Sequence, residues 1–169
     1  VIKEKINHGF GKACNIGAAH TNSKYILFLN PDTKINETSI EETIKFMEKE
    51  SSSNVGICGI QLEDEHGITT SCSRFPSLLN IFSSSLGLSK LFSKLGTPMK
   101  DFSHKSNLEV DQVMGAFFFI RADLFNRCNG FDERFFVYFE EVDLSKRIKT
   151  FGFKSMFFAK CNAYHVGGG

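Results

Sequence analysis

The sequence predicts an α/β fold with a mostly parallel sheet flanked by helices, and the order of three patterns predicts it. Residues 24–30 form a continuous apolar run that is typical of a strand buried on both faces, and residues 55–62 form a second run of this kind. Between them, Ile40, Ile44 and Met47 recur at helical spacing. A strand, a helix and a strand in this order favour parallel strands joined through a helix.

The other elements are predicted from the same periodicities and from helix and turn signals. Ser39 followed by Glu42 forms a capping box, which predicts that the helix between the two strands starts at Ser39 and runs to about Glu50. Gly115 interrupts an apolar strand, and a glycine there often marks the close approach of a backbone or a ligand. The remaining predictions are a short helix over 16–21, a strand or extended arm over 68–75, an amphipathic helix over 78–95 with a break near Gly87, a strand over 110–120 that runs into a short helix, an aromatic loop over 128–139, a helix over 140–151 closed by Gly152, and a last strand over 153–165.

Bulk composition predicts one domain, residues 1–169, that binds a small ligand. The chain has 169 residues, of which 41% are hydrophobic and 19 are Phe, which is enough apolar material for a single core. Its 20 basic and 19 acidic residues include no basic block. This balance argues against a nucleic-acid partner and favours a small polar or anionic ligand.

The cysteines and the apolar runs predict where the protein resides. The five cysteines are widely spread and form no C-x-x-C pair, so we interpret them as free thiols in a reducing cytoplasm. The sequence has no apolar run of about 18 residues, and its opening lacks the apolar region of a signal peptide, which predicts a soluble or peripheral protein. Because that opening is charged and glycine-rich where a buried strand is usual, we expect upstream sequence to be missing.

The first candidate for function is Asp32, in the segment Asn-Pro-Asp-Thr directly after the first buried strand. Open α/β sheets bind ligands at the carboxyl ends of their strands, so Asp32 would lie in that crevice. A carboxylate there can hold a divalent cation whose other ligands are diphosphate oxygens. The alternative is an ordinary turn, because turns favour the same residue types.

Three further segments contain candidate residues. Glu140, Glu141 and Asp143 start a helix, and a carboxylate in apolar surroundings suits a general base, although acids are also ordinary in a first helical turn. His165 is interpreted either as a ligand that the glycine tail folds over the site or as an exposed residue near a chain end. Residues 9–12 (GFGK) lack the third glycine of a dinucleotide-binding fingerprint and do not form a P-loop.

Taken together, these motifs resemble the family 2 glycosyltransferases, in particular their bacterial rhamnosyltransferase-like branch. The resemblance implies a GT-A (Rossmann-like) fold without its first strand or strands. It covers nearly the whole chain except a variable, acceptor-related region at about 63–109. The motifs occur in the family's order: N-x-G-F-G-x-A-x-N at 7–15, F-L-N-P-D-T at 28–33, V-x-G-A-x-x-x-I-R at 113–121, G-F-D-E-x-F-F-x-Y at 130–138, and E-E-V-D-L-x-x-R at 140–147 with a terminal Y-H-V-G-G.

The resemblance implies a divalent-cation site and a catalytic base. Asp32 matches the final acid of a metal-binding D-x-D-like motif in which Asn30 replaces the first acid, and His165 matches a metal-binding histidine. The implied cation is Mn²⁺ or Mg²⁺, and the imidazole slightly favours Mn²⁺. Glu141 occupies the position of the family's aspartate base, and a longer carboxylate must reposition itself to reach the acceptor. The implied substrate-binding residues are Gly11, Lys12 and Asn15 near the donor, Asn30, Gly115 and Ala116 in the active site, Asp132 and Glu133 near the acceptor, and Glu140.

The implied reaction is a single displacement with inversion, in which Glu141 takes a proton from the acceptor hydroxyl while the cation stabilises the departing nucleoside diphosphate. The implied partners are a nucleotide-sugar donor, such as dTDP-rhamnose or a UDP-hexose, and a saccharide or polyprenyl-linked acceptor in cell-surface polysaccharide synthesis. Segment 78–95 is interpreted as a contact with the inner face of the cell membrane or, as the pattern alone favours, as a core helix.

Two other functions stay open at this point. A non-catalytic GT-A fragment that serves as a scaffold or binding protein is favoured by Glu141 and by the lack of the family's opening strand and acidic loop, which hold the nucleotide. Without them, the chain is expected to bind a donor weakly. A nucleotidyltransferase is the weaker alternative, because the sequence shows no glycine-rich, basic nucleotide loop after a first strand.

Overall fold

Helices and strands alternate along the chain in the computed structural model, which describes residues 1–86, 96–99, 102 and 104–166. Within these ranges the α-helices are α1 (Phe10–Ala18), α2 (Glu37–Met47), α3 (Leu78–Ser85), α4 (Ala122–Arg127) and α5 (Glu140–Thr150), and a 3₁₀ turn spans Glu50–Ser52. The strands are β1 (Tyr25–Leu29), β2 (Thr33–Lys34), β3 (Val55–Asp64), β4 (Gly67–Ile68), β5 (Cys72–Ser73), β6 (Leu108–Val110), β7 (Gln112–Val113), β8 (Phe117–Arg121) and β9 (Lys154–His165).

One mixed sheet organises the fold. Its strand order is β1-β8-β3-β9-β2, with β4 paired to β3 and β6 paired to β9, while β5 and β7 form a separate small sheet. β3 and β9 are parallel, whereas β8 is antiparallel to both β1 and β3. β1, β3 and β9 therefore run in the same direction and end at the same edge of the sheet. The predicted α/β fold is confirmed, and the reversed β8 makes the sheet mixed.

The prediction of a single strand over 110–120 is wrong, because the structure divides this segment into β6, β7 and β8. β6 pairs with β9, β7 pairs with β5, and β8 pairs with both β1 and β3. Asp111 lies at the bend between β6 and β7, where its carboxylate accepts a hydrogen bond from Phe75 N (3.0 Å) and lies 3.2 Å from Lys149 Nζ. Gly115 lies in the turn before β8 rather than inside a strand, and a Cβ built on it would meet open space.

Two helices begin earlier than the sequence predicts. α2 is capped by Asn36 rather than Ser39, because Asn36 Oδ1 accepts a hydrogen bond from Ser39 N at 2.7 Å. Asparagine is one of the strongest N-cap residues, so the helix starts at the first good cap. The sequence predicts a helix over 16–21, but α1 begins at Phe10. It follows Gly9, whose φ of 81° is left-handed. Its first turn is fixed by a hydrogen bond of 2.9 Å from Phe10 N to Phe136 O.

Phenylalanine side chains fill the core on both faces of the sheet. Successive residues of a strand point to opposite faces, so Phe118 lies in one buried cluster and Phe117 and Phe119 lie in the other. Residues of α4 and α5 belong to the first cluster and residues of α2 belong to the second, so helices flank the sheet as predicted. The five cysteines are free thiols, as predicted, and four of them are buried.

Helix α3 is the described part of the amphipathic helix predicted over 78–95. Residues 87–95, with the predicted break near Gly87, lie outside the described residues. No helix in the described part of the chain is long and apolar enough to cross a membrane. Large apolar side chains on and directly after α3 are exposed: Leu78, Leu79, Ile81, Phe82 and Leu86.

Candidate active site

A cavity of about 530 Å³ opens at the edge of the sheet where β1, β3 and β9 end. Asn30 follows β1, Asp64 is the last residue of β3, and His165 is the last residue of β9. This is the edge at which open α/β sheets bind ligands. The lining brings together seven of the predicted site residues: Asn30, Asp32, Gly115, Ala116, Glu140, Glu141 and His165.

The loop from β1 to β2 brings Asp32 to His165. β1 and β2 lie at opposite ends of the strand order, so residues 30–32 cross the end of the sheet. β2 pairs with β9 so that Thr33 lies opposite His165, and Val166 N donates a hydrogen bond to Asp32 O at 3.4 Å. As a result, His165 Nε2 lies 3.3 Å from Asp32 Oδ1. The convergence expected of these two side chains is present.

The pair formed by Asp32 and His165 fits part of the coordination shell of a divalent cation. A carboxylate oxygen and an imidazole nitrogen suit Mn²⁺, and Asp32 keeps 40% of its side chain exposed, which leaves room for further ligands. No group of three or more His, Cys, Asp or Glu side chains placed to hold a metal occurs in the described residues. A cation at this position would therefore need ligands from water or from phosphate oxygens, as Mg²⁺ and Mn²⁺ commonly have.

A left-handed turn positions the two glutamates at the start of α5. Tyr138 and Phe139 have φ values of 69° and 72°, a region that residues other than glycine seldom adopt. Such backbone is retained only where the surrounding structure imposes it, and it concentrates at functional sites. Because Phe139 is the N-cap residue, this turn sets where α5 begins and which way Glu140 and Glu141 enter the cavity.

Burial changes the proton affinity of both glutamates. Glu140 is only 5% exposed, and its Oε2 has no hydrogen-bond partner within the described part of the chain. Burial raises the pKa of Glu140, and burial together with the negative charge of Glu140 raises the pKa of Glu141. A carboxylate with a raised pKa is better suited to accept a proton from a hydroxyl group, which is the task of a general base.

Five other predicted site residues lie outside this cavity, between α1 and the loop before α5. Asn15 exchanges two hydrogen bonds with the Phe131 backbone, at 2.9 Å and 2.8 Å, and Lys12 Nζ lies 3.3 Å from Glu133 Oε2. A Cβ on Gly11 would lie 3.2 Å from Phe131 Cβ, so glycine permits this close packing. These contacts fasten α1 to the loop, and the expected contacts with donor and acceptor stay predictions. The five residues are Gly11, Lys12, Asn15, Asp132 and Glu133.

Seven lining residues were missed by sequence reasoning, and Asp64 is the one with a usable signal. It ends the second buried strand, so the strand-end rule that indicates Asp32 applies to it as well. In the parallel pair of β3 and β9, Glu63 lies opposite Tyr164, which brings Asp64 near His165. Tyr138 gives no such signal, because its left-handed backbone involves neither glycine nor asparagine. The seven residues are Phe10, Asp64, Thr69, Thr70, Met114, Val137 and Tyr138.

Sequence comparison identifies the family of the chain. Residues 1–128 match the family described as Glycosyl transferase family 2. The chain belongs to glycosyltransferase family 2. The chain is 31% identical over 166 residues to rhamnosyltransferase WbbL of Escherichia coli, and the match covers 94% of this chain and 61% of that protein. It is also 27% identical over 148 residues to the low-salt glycan biosynthesis hexosyltransferase Agl10 of Haloferax volcanii, covering 85% of this chain and 44% of that protein. The chain thus spans less than two thirds of either relative.

Solved structures with the same fold are those of glycosyltransferases. A crystal structure of GalNAc-T7 with UDP, GalNAc and Mn²⁺ superposes with a TM-score of 0.67 and 13% sequence identity. The match covers 98% of this chain and 32% of the GalNAc-T7 chain. The mannosyltransferase PcManGT from Pyrobaculum calidifontis, in complex with GDP-Man and Mn²⁺, superposes with a TM-score of 0.60 and 12% sequence identity. The match covers 98% of this chain and 38% of the PcManGT chain. At such identities the likeness shows the fold alone, and that fold is GT-A. The family and fold implied by the motifs are confirmed.

Proposed function

We propose that this glycosyltransferase moves a sugar from a nucleoside-diphosphate sugar, such as dTDP-rhamnose or a UDP-hexose, to a hydroxyl of a saccharide or polyprenyl-linked saccharide in cell-surface polysaccharide synthesis. The observation that carries the proposal is that Asp32 and His165, 3.3 Å apart, share one cavity with Glu141. The two relatives named as a rhamnosyltransferase and a glycan-biosynthesis hexosyltransferase support the substrate class.

A cation is needed because the described lining of the cavity contains no lysine or arginine to neutralise a diphosphate. Asp32 and His165 would hold Mn²⁺ or Mg²⁺, with Mn²⁺ favoured by the imidazole ligand. When bound, the cation supplies the positive charge that stabilises the departing nucleoside diphosphate. Both fold neighbours were solved with Mn²⁺, which supports this choice.

Glu141 is the catalytic base in this proposal. The acceptor oxygen forms its bond to the anomeric carbon while the bond from that carbon to the diphosphate oxygen breaks, and the leaving diphosphate keeps the electron pair. The hydroxyl proton moves to the carboxylate of Glu141, whose pKa is raised by burial. One displacement of this kind inverts the anomeric centre. Glu140 Oε2, which has no partner among the described residues, would hydrogen-bond a substrate hydroxyl in this proposal.

The exposed apolar side chains of α3 support a peripheral contact with the cytoplasmic face of a membrane that carries the lipid-linked acceptor. A Leu78→Ser, Phe82→Ser double variant should lose co-sedimentation with anionic vesicles. Ile44→Ser is the matched control, because Ile44 is exposed on α2. Equal sedimentation of the double variant and the control would contradict the contact.

Turnover of a donor panel tests the proposed function. We expect one sugar nucleotide among UDP-, GDP- and dTDP-linked hexoses to release its nucleoside diphosphate when a saccharide acceptor and Mn²⁺ are present, and we expect chelation of the metal to stop the release. If no donor is turned over and no nucleoside diphosphate binds with any divalent metal, the chain is a GT-A scaffold and the transferase proposal fails.

A further inference from the structure

A second cavity, of about 540 Å³, adjoins the active site. Three residues line both cavities: Asp64, Thr69 and Thr70. The segment from the end of β3 through β4 to Thr70 is therefore a wall shared by the two spaces. The residues that line the second cavity alone are His66, Ile68, Met99 and His104. None of these residues has a role in the transfer reaction as proposed above.

The shared wall is held by hydrogen bonds within its own hairpin, one of which uses an oxygen of the Asp64 carboxylate. Asp64 pairs with Gly67 across a tight hairpin, and Asp64 Oδ1 accepts a hydrogen bond from His66 N at 2.7 Å. Thr69 N donates a hydrogen bond to Leu62 O at 2.9 Å, which ties the segment after β4 to the end of β3. The side chain of His66 is 84% exposed, and Ile68 is 57% exposed.

The opposite wall contains a histidine with an unused polar atom. His104 has a left-handed backbone (φ 56°), and its Nδ1 lies 3.0 Å from Phe102 O. Its ring stacks on Phe102 at a centroid distance of 3.9 Å and meets the edge of Phe157 at 5.4 Å, so its position is fixed. His104 Nε2 is buried and has no hydrogen-bond partner in the described ranges. A buried polar atom without a partner is uncommon in folded proteins and indicates that something else satisfies it.

The lining of the second cavity suits a neutral, polyhydroxylated ligand. Ile68, Met99 and the His104 ring present apolar surface, while the two shared threonines and Asp64 present hydrogen-bonding groups. No lysine or arginine is found in the described lining, and Asp64 at the junction would repel a phosphate. Sugar rings have this combination of apolar faces and hydroxyl edges.

We propose that the second cavity binds the sugar next to the acceptor residue, so that this enzyme recognises an acceptor of at least two sugars. The proposal rests on the proposed function, in which the donor diphosphate occupies the Asp32 and His165 end of the first cavity. The acceptor chain then leaves the first cavity across Thr69 and Thr70 and enters the second.

Methionine methyl NMR on the full chain tests the proposal, because each cavity contains one methionine. Met114 lines the first cavity and Met99 lines the second, while Met47 and Met156 line neither and report unrelated changes. The probes are glucose, maltose and maltotriose, and the β-1,4-linked N-acetylglucosamine series of the same lengths. We expect monosaccharides to shift the Met114 signal alone, and expect two- and three-sugar probes of at least one series to shift both Met114 and Met99.

A variant that fills the second cavity sharpens the test. Ile68→Trp should lower the affinity for the bound trisaccharide about tenfold, because the loss of one central contact commonly weakens binding by about this factor. The affinity for the monosaccharide should not change. Glu65→Trp is the matched control, because Glu65 lies in the same hairpin, is exposed, and lines neither cavity. Unchanged Met47 and Met156 signals show that each variant is folded.

The outcomes separate this proposal from the proposed function. The second subsite is overturned if the longer saccharides shift Met114 alone, if Ile68→Trp binds the trisaccharide as tightly as Glu65→Trp, or if no saccharide shifts either signal. UDP, GDP and dTDP with Mg²⁺ form the independent arm: a shift of Met114 supports a donor site whatever the saccharides do, and its absence with all three nucleotides counts against the proposed function itself.

Discussion

Where β1 begins, the Arg121 guanidinium group satisfies the backbone around it, whereas at the edge of the sheet where β1, β3 and β9 end two buried oxygen atoms have no hydrogen-bond partner among the described residues. The unpaired atoms are Glu140 Oε2 and Thr33 Oγ1, and Glu140 lines the active-site cavity. Arg121 at the far end donates hydrogen bonds to three carbonyl oxygens, those of Val55 (2.7 Å), Met47 (2.9 Å) and Ser52 (3.1 Å).

This difference separates stability from function along the sheet. Buried polar groups cost free energy when they lack partners, so the end at Arg121 stabilises the fold and the end at Glu140 weakens it. The weaker end is the one where β1, β3 and β9 end and where open α/β sheets bind ligands, and Glu140 there lines the active-site cavity. A substitution at the Arg121 end should therefore lower stability alone, whereas substitutions at the Glu140 end should lower activity without lowering stability.

The largest effect is expected for Glu141→Gln. The variant keeps the shape of the side chain but removes the base, so the transfer rate should fall about 10²- to 10⁴-fold while nucleotide binding is retained. Transfer kinetics and calorimetry measure the two quantities. Glu37→Gln is the control, because Glu37 is a first-turn acid of α2 outside the cavity. A rate within threefold of wild type would remove Glu141 from the mechanism.

The pH profile gives a second view of the same residue. Glu141 must be ionised to accept a proton, and burial raises its pKa above the ordinary value of 4.5. The rate should therefore rise with pH, and the midpoint of its acidic limb should lie above 4.5.

A large effect of the opposite kind is expected for Arg121→Met. Loss of the guanidinium group leaves carbonyl groups without partners, so the free energy of unfolding should fall by about 2–4 kcal/mol. Metal-dependent nucleotide binding, measured well below the unfolding midpoint, should not change. Urea unfolding measures the free energy of unfolding. Arg134→Met is the control, because the side chain of Arg134 is 88% exposed. An Arg121 variant as stable as this control would break the comparison.

Glu140→Met is expected to change the free energy of unfolding by a smaller amount than Arg121→Met, and in the opposite direction. Replacing a buried carboxylate that has one oxygen without a partner among the described residues by an apolar side chain of similar length should raise the free energy of unfolding by about 1–2 kcal/mol at neutral pH. The transfer rate should fall, because a substrate contact is lost. Urea unfolding and transfer kinetics on the same preparation show whether stability and activity move in opposite directions.

The sign of the Glu140 effect depends on pH. The folded state binds the proton more tightly than the unfolded state, because burial raises the pKa of Glu140 in the fold. Stability is then lost as pH rises through the ordinary value of 4.5 towards the raised pKa. The advantage of Glu140→Met should therefore shrink when unfolding is measured below pH 4.5. An advantage that is the same at low and neutral pH would show that burial of the charge is not its cause.

The sequence was sufficient to predict that Asp32, Glu141 and His165 share one site, and insufficient to predict the shape of the backbone around it. Asp32 could be predicted because a buried strand ends directly before it, and the ordered motifs added Glu141 and His165 to the same site. The reversal of β8 could not be predicted, because an apolar run such as Phe117–Arg121 fits a buried strand in either direction. The direction is set by its pairing with β1 and β3.

Local backbone signals explain the other differences. Asn36 and Ser39 are both good caps, and only the structure shows that the earlier one starts α2. The left-handed turn at Tyr138 and Phe139 has no sequence signature, since neither residue is glycine or asparagine. That turn nevertheless decides how Glu140 and Glu141 enter the cavity.

The most direct test of the account is calorimetry of nucleoside diphosphate binding with and without Mn²⁺, on the wild type, Asp32→Ala and His165→Ala. His20→Ala and Asp123→Ala are matched controls, because both residues are exposed and lie outside the cavity. The account predicts Mn²⁺-dependent binding that both site variants lose at least about tenfold and both controls retain. Binding that does not depend on the metal, or site variants that bind like the controls, would contradict it.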